Sequence, residues 1–131
     1  MNRVLDAYAL LAFFEREPGH DTVQAALARA VEKDSYLLMT TVSFGEVYYI
    51  IIRELGQQKA DEIERIVRTL PIEIVDVDID LAMEAARFKA RYKIPFAYCF
   101  AAALAKLRKG ELLTGDQELV QQKSEIKILW I

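Results

Sequence analysis

The sequence predicts an α/β fold, a three-layer α/β/α sandwich with a central parallel sheet of four to five strands, in a single domain covering residues 1–131. Short strand-like runs alternate with longer helical patterns along the whole chain, and that alternation argues for a parallel sheet covered on both faces. No repeat, linker or low-complexity segment divides the chain. At 131 residues, 53% hydrophobic and 28% charged, it is long enough to bury roughly two thirds of its unfolded surface without a staple.

Asn2 to Asp6 reads as a strand that ends on an acid, and Ala7 to Glu17 as a helix stopped by Pro18-Gly19. Asp21 or Thr22 is placed to cap a second helix reaching about Lys33, and Tyr36 to Thr40 reads as a buried strand. Ser43 and Glu46 have capping-box spacing, which starts a third helix there, running to Leu55-Gly56. Gln57 to Leu70 is amphipathic, with Ile63, Ile66, Val67 and Leu70 on one stripe, and Pro71 ends it. Ile72 to Val77 alternates like a strand; Asp80 to Tyr92 and Ala97 to Lys109 are helical, parted by Ile94-Pro95. Glu111 to Thr114 is a strand entering Gly115-Asp116, and Lys127 to Ile131 is a last short strand.

Composition excludes several classes of function. The strongest apolar run, Val47 to Ile52, is far below the roughly 20 residues of a membrane-spanning helix. The amino terminus has neither a basic start nor a small-residue cleavage site, so a cytoplasmic protein is expected. Cys99 is the only cysteine and His20 the only histidine, which rules out an internal disulfide, multi-histidine or cysteine zinc sites, and serine–histidine catalysis. Cys99 reads as an apolar filler and His20 as a surface residue at a helix start. The net charge of −3 hides an uneven distribution: seven basic residues and no acid lie between Ala85 and Gly110. A basic strip of that kind suits a phosphate-rich ligand, although two solvated helix faces would look the same.

In open parallel sheets, ligands collect beyond the carboxyl ends of the strands, where the strand order reverses. Asp6 closes the first strand and Asp116 follows the fourth, so their carboxylates converge if those strands are neighbours. Glu46, in the first turn of the third helix, is positioned to join them. Clustered carboxylates repel strongly at low dielectric, and a hard divalent cation such as Mg²⁺ or Mn²⁺ relieves the conflict. Each acid also has a plainer reading, as a helix cap, a turn residue or half of a capping box.

Four segments in order carry a more specific signal. They are Val4-Leu5-Asp6-Ala7-Tyr8-Ala9-Leu10-Leu11-Ala12, Thr40-Thr41-Val42-Ser43-Phe44-Gly45-Glu46-Val47-Tyr48-Tyr49, Phe96 to Lys106, and Leu112-Leu113-Thr114-Gly115-Asp116-Gln117-Glu118. They resemble the four motifs of the PIN-domain family, particularly the VapC-type toxins of type II toxin–antitoxin systems. The resemblance implies a Mg²⁺- or Mn²⁺-dependent ribonuclease with Asp6, Glu46 and Asp116 as metal ligands and Glu118 as an auxiliary acid. It further implies an RNA substrate, a cognate antitoxin and a homodimer, for which Val42 to Leu55 and the helix after Gln57 are the leading surfaces. One position departs from the pattern: the third motif carries an aspartate in the family, and here the residue is Tyr98.

A phenol is a poor magnesium ligand at neutral pH, so two functions stay open: an active ribonuclease toxin, or a catalytically impaired module of the same fold that binds RNA or an antitoxin peptide. Asp76, Asp78 and Asp80 resemble the paired aspartates of a dehalogenase-type phosphatase, but a strand end leading into a helix cap explains them better. Receiver domains need an acidic pair after the first strand, and Asp6 stands alone there. Tyr48, Tyr49, Phe96 and Phe100 fit core or interface positions better than base stacking.

Overall fold

The computed structural model describes residues 2–118 and 125–131. Five short strands, β1 (Arg3–Leu5), β2 (Leu37–Thr40), β3 (Ile72–Val75), β4 (Glu111–Thr114) and β5 (Lys127–Trp130), form one sheet in the order β3-β2-β1-β4-β5. Every pairing is parallel, as the alternation of strands and helices requires. The chain builds outward from β1 to β3, then crosses back to β4 and β5, so the order reverses between β1 and β4. Arg3, Val4 and Leu5 pair with Glu111, Leu112 and Leu113 across that boundary.

Period-two alternation decides which layer each strand residue enters. Leu5, Met39 and Leu113 face a core built with α1 (Ala7–Glu15), α2 (His20–Glu32), α3 (Thr41–Leu55) and α4 (Gln57–Val67). Their neighbours Val4, Leu38 and Leu112 face the opposite core, with α5 (Ile79–Arg91) and α6 (Phe96–Leu107). The result is the predicted three-layer sandwich. β2 and β4 are buried at every position, whereas the edge strands are partly open, β3 at Glu73 and Ile74 and β5 at Lys127 and Trp130. Cys99 is fully buried on α6 among alanines, the packing role expected for it. No helix among the described residues is long and apolar enough to cross a membrane.

Several boundaries differ from the sequence reading. α1 ends at Glu15 because Arg16 turns left-handed (φ 53°), two residues before Pro18. α2 starts at His20 directly after Gly19, whose φ of 99° suits glycine alone, so neither Asp21 nor Thr22 is its cap. α3 begins at Thr41, and its cap is Thr40, whose Oγ1 accepts the Ser43 N–H at 3.0 Å. The capping box of Ser43 with Glu46 therefore does not form, and Glu46 lies in the second turn rather than the first. Asp78 caps α5 by accepting the Leu81 N–H at 2.8 Å, which agrees with the plain reading of the alternating aspartates.

Two glycines give opposite expectations. A Cβ on Gly110 would sit 2.2 Å from the Asn2 carbonyl oxygen, which already accepts the Glu111 N–H at 2.9 Å. Gly110→Ala must push β1 away from β4 and should destabilise the protein by about 1–3 kcal/mol. Gly45 lies inside α3 with nothing within 4 Å of an added Cβ, so Gly45→Ala should stabilise it by about 0.5–1 kcal/mol. Urea midpoints moving in opposite directions would bear this out, and a neutral Gly110→Ala would mean that the β1–β4 contact is loose.

Candidate functional site

Two strand ends abut helix starts beside the point where strand order reverses. Asp6 alone separates β1 from α1, and nothing separates β2 from α3. Asp6 is fully buried and divides its carboxylate between two surroundings. Oδ1 accepts the Ala9 N–H at 2.9 Å and caps α1, whereas Oδ2 is buried without a hydrogen-bond partner. Glu46 Oε1 is likewise buried and unpartnered.

Asp116 is held by the turn after β4. Its N–H donates to Thr114 Oγ1 at 3.0 Å, and its Oδ1 accepts the Glu118 N–H at 2.9 Å. Thr114 is fully buried, and its hydroxyl both accepts the Asp116 N–H and favours the charged form of Asp6, so one side chain serves both aspartates. Sequence reasoning missed Thr114 and Thr40; the signal was a threonine as the last residue of β2 and of β4, the two strands that flank β1. Glu118 is exposed, and its backbone rather than its carboxylate is what binds Asp116.

The electrostatics record how the acids share this end of the sheet. The Asp6 carboxyl is pushed up from its ordinary 3.8 to about 7. Burial is the main cause, and Asp116 and Glu46 add repulsion against the lowering effect of Thr114 and the Ala9 N–H. Glu46 is raised by burial and then by Asp116. Tyr98, in the first turn of α6, stands by the same group: burial raises its phenol, and the neighbouring carboxylates of Asp116, Glu46 and Asp6 raise it further. The residue that departs from the family pattern therefore stands at the acidic cluster as a neutral donor.

A hard cation fits this arrangement in a particular way. Among the described residues, no three Asp, Glu, His or Cys side chains stand together at metal-ligand spacing. Mg²⁺ commonly keeps several waters and takes only one or two carboxylates directly, the rest coming from substrate phosphate oxygens. The two buried unpartnered oxygens, Asp6 Oδ2 and Glu46 Oε1, form an all-oxygen donor set of the kind such an ion prefers. A cap alone does not account for Asp6: capping is worth about 1 kcal/mol and Asn or Thr would supply it without the cost of a buried charge.

The basic strip is exposed, but four of its seven cations are engaged within the protein. Arg87 Nη1 lies 2.7 Å from Glu84, Arg91 Nη2 lies 2.8 Å from Glu125, and Lys106 Nζ lies 3.1 Å from both acids. Tyr92 also donates to Glu125, and Lys89 donates to the Ile94 carbonyl at 2.7 Å. The strip is thus largely a network joining α5 and α6 to the segment before β5. Tyr48 bridges α3 to α4 by donating to Asp61 at 2.5 Å, and Phe100 is in the core, as expected; Tyr49 and Phe96 are exposed.

Comparison with known proteins agrees with this geometry. The family model for the PIN domain matches residues 3–124. The ribonuclease VapC30 of Mycobacterium tuberculosis is 31% identical over 123 residues, covering 88% of this chain and 90% of that protein. Among solved structures, VapBC2 of Rickettsia felis bound to a promoter DNA fragment superposes with a TM-score of 0.81 at 12% identity, covering 100% of this chain and 99% of that one. VapC20 of M. tuberculosis, a toxin that cleaves the sarcin–ricin loop, gives a TM-score of 0.69 at 15% identity, covering 88% of this chain and 90% of that one.

The buried carboxyl makes a stability prediction for the protein held in chelator. Asp6 binds its proton more tightly folded than unfolded, so its contribution is fully present below pH 3.8 and is lost as pH rises through about 7. Above that range the loss is on the order of 4 kcal/mol. Asp6→Asn keeps an acceptor for the cap and removes the charge. At pH 8 in chelator it should melt about 5 °C or more above the parent, with a smaller difference at pH 5. A variant that melts lower at both pH values would show that the charge is compensated in the fold.

Proposed function

Because the chain belongs to the PIN domain family and to its VapC ribonucleases, we propose that it is an endoribonuclease toxin, working with Mg²⁺ or Mn²⁺ held at the carboxyl end of the sheet. The observation that carries the metal site is the pair of buried, unpartnered oxygens on Asp6 and Glu46, facing the field of Asp116. Asp6, Glu46 and Asp116 would hold the ion, partly through water. When bound, the metal supplies Lewis acidity at the scissile phosphate and lowers the pKa of a coordinated water.

The chain's own side chains account for the remainder. Asp6 is fixed by the α1 cap and Asp116 by Thr114 and the Glu118 N–H, so neither carboxylate has to be ordered when substrate arrives. Tyr98 brings a neutral hydroxyl beside Asp116 where the motif has a charge, which leaves the cluster one negative charge poorer. A phosphodiester approaching this crevice therefore meets less repulsion, at the expense of weaker attraction for the cation. Glu118, exposed and joined to Asp116 through its backbone N–H, would serve as an auxiliary acid.

A cognate antitoxin and a second copy of the chain complete the reading. Tyr49 and Leu55 on α3 and Ile66 on α4 are exposed apolar side chains, within the two segments expected to form the dimer surface.

Cleavage of labelled RNA should require Mg²⁺ or Mn²⁺ and stop in chelator. Asp6→Asn and Asp116→Asn should each lower kcat by at least about 100-fold while circular dichroism stays unchanged. Cleavage that survives chelator would overturn the metal mechanism.

Tyr98 gives a separate test. Tyr98→Asp should tighten Mn²⁺ binding about tenfold or more in calorimetry, since a new carboxylate joins the cluster. Tyr98→Phe should leave Mn²⁺ affinity within a few-fold and lower kcat through loss of the hydroxyl beside Asp116. Tighter binding without any gain in cleavage by Tyr98→Asp would favour a binding module instead of a nuclease.

A further inference from the structure

At the far end of the sheet from the carboxylates, a cavity of about 420 Å³ opens between the amino ends of four strands and the last turns of α2. Its size falls in the range of small-molecule sites, about 300–1,000 Å³. The floor is the first rung of the sheet, where Arg3, Glu111 and Lys127 lie side by side on β1, β4 and β5. These positions alternate with Val4, Leu112 and Ile128, so they face α2, in a layer otherwise filled by apolar side chains. The opposite wall carries Arg29 and Lys33, one turn apart on α2 and at its end, with Tyr36 at the rim.

Charge and shape together point to a class of ligand. Four cations and one carboxylate line this hollow in a protein whose net charge is −3. Glu111 is only 3% exposed, and both its oxygens are engaged, Oε1 by Arg3 at 2.7 Å and Oε2 by Lys127 at 3.6 Å. Arg3 uses Nε for that bond, and its terminal nitrogens make no hydrogen bond to another described residue. Among the described residues, Arg29 and Lys33 form no ion pair.

Cations in the last turn of a helix complement its dipole, which is reason enough for Arg29 and Lys33. Glu111 likewise accounts for the approach of Arg3 and Lys127, but neither explains why four cations face a single carboxylate here, or why Tyr36 is 60% exposed beside them. Guanidinium groups take phosphate oxygens in pairs, and an exposed aromatic ring stacks on a base. A second hollow sharing Arg3, Ala26 and Arg29 continues along α2 past Thr22.

We propose that this cavity binds the phosphate end of a nucleotide, with Arg3, Arg29, Lys33 and Lys127 on the phosphates and Tyr36 against the base. That moiety belongs equally to a free nucleoside triphosphate and to the 5′-phosphorylated end of an RNA. The site is separate from the acidic crevice and does not depend on nuclease activity there.

Calorimetric titration of the whole protein, in chelator so that no metal bridges phosphate to the acids, tests it with ATP, inorganic tripolyphosphate, and 5′-phosphorylated and 5′-hydroxyl tetranucleotides. ATP or the phosphorylated tetranucleotide should bind, whichever is the source, and the hydroxyl form should bind at least about tenfold more weakly than its phosphorylated partner. The double variant Arg29→Ala/Lys33→Ala, altered only at exposed positions, should weaken that binding by at least about tenfold with only the small drop in melting temperature that losing two helix-end charges brings. Tyr36→Ala should weaken the nucleotide and leave tripolyphosphate unchanged. Asp6→Asn should bind like the parent, which separates this site from the catalytic reading. No binding of either nucleotide at about 1 mM, or binding indifferent to the double variant, would overturn the proposal. So would tripolyphosphate binding as well as ATP with no effect of Tyr36→Ala, or an oligoglutamate peptide binding better than both nucleotides.

Discussion

The desolvation of Asp6 is the constraint to which the rest of this end of the molecule answers. A carboxylate at the junction of β1 and α1 cannot avoid burial, because the central strand and both helical layers meet there. One oxygen meets the first free N–H groups of α1, where the helix dipole favours negative charge. The other is buried without a hydrogen-bond partner, in the field of Glu46 and Asp116. The helix accounts for half of the group, and only a cation or a proton accounts for the other half. A fold selected for stability alone would place a neutral cap here, so the acid marks a conflict retained for chemistry.

The two ends of the sheet are opposite in sign. Beyond the carboxyl ends of β1 and β4 lie the acids; before the amino ends of β1, β4 and β5 lie Arg3, Lys127 and the cations of α2. Both arise from the same device, a charged residue placed one step outside the apolar rungs of a short strand. Strands of three or four residues have few apolar rungs to separate the two charged ends, so neither can be moved without disturbing a buried layer.

Much of the fold was legible because burial in parallel strands and helices leaves strong periodic traces, as in Leu37–Thr40 and Glu111–Thr114. Local rules competed where legibility failed. Ser43 with Glu46 satisfies the capping-box spacing, yet Thr40 caps α3 because the strand ends there and its hydroxyl reaches Ser43 first. The basic strip misled for another reason: two of its neutralising partners, Glu84 and Glu125, lie outside the Ala85–Gly110 window and meet it only in space. Asp6, Glu46 and Asp116 were found because each follows the carboxyl end of a strand. Thr114 was not, since a hydroxyl at a strand end carries no charge to draw the eye. The orientation of Tyr98 depends on how α6 packs, which no spacing in the sequence reports.

The direct joints between strand and helix have a consequence for how this protein can change over generations. With one residue between β1 and α1 and none between β2 and α3, there is no slack in which an insertion or deletion could be absorbed. Adding a single residue at either joint would turn the following helix by about 100° about its axis, swinging its apolar stripe out of the core and Glu46 out of the crevice. Lineages descended from this chain are free to exchange side chains at these joints, as Tyr98 illustrates on α6, but length variation must accumulate elsewhere.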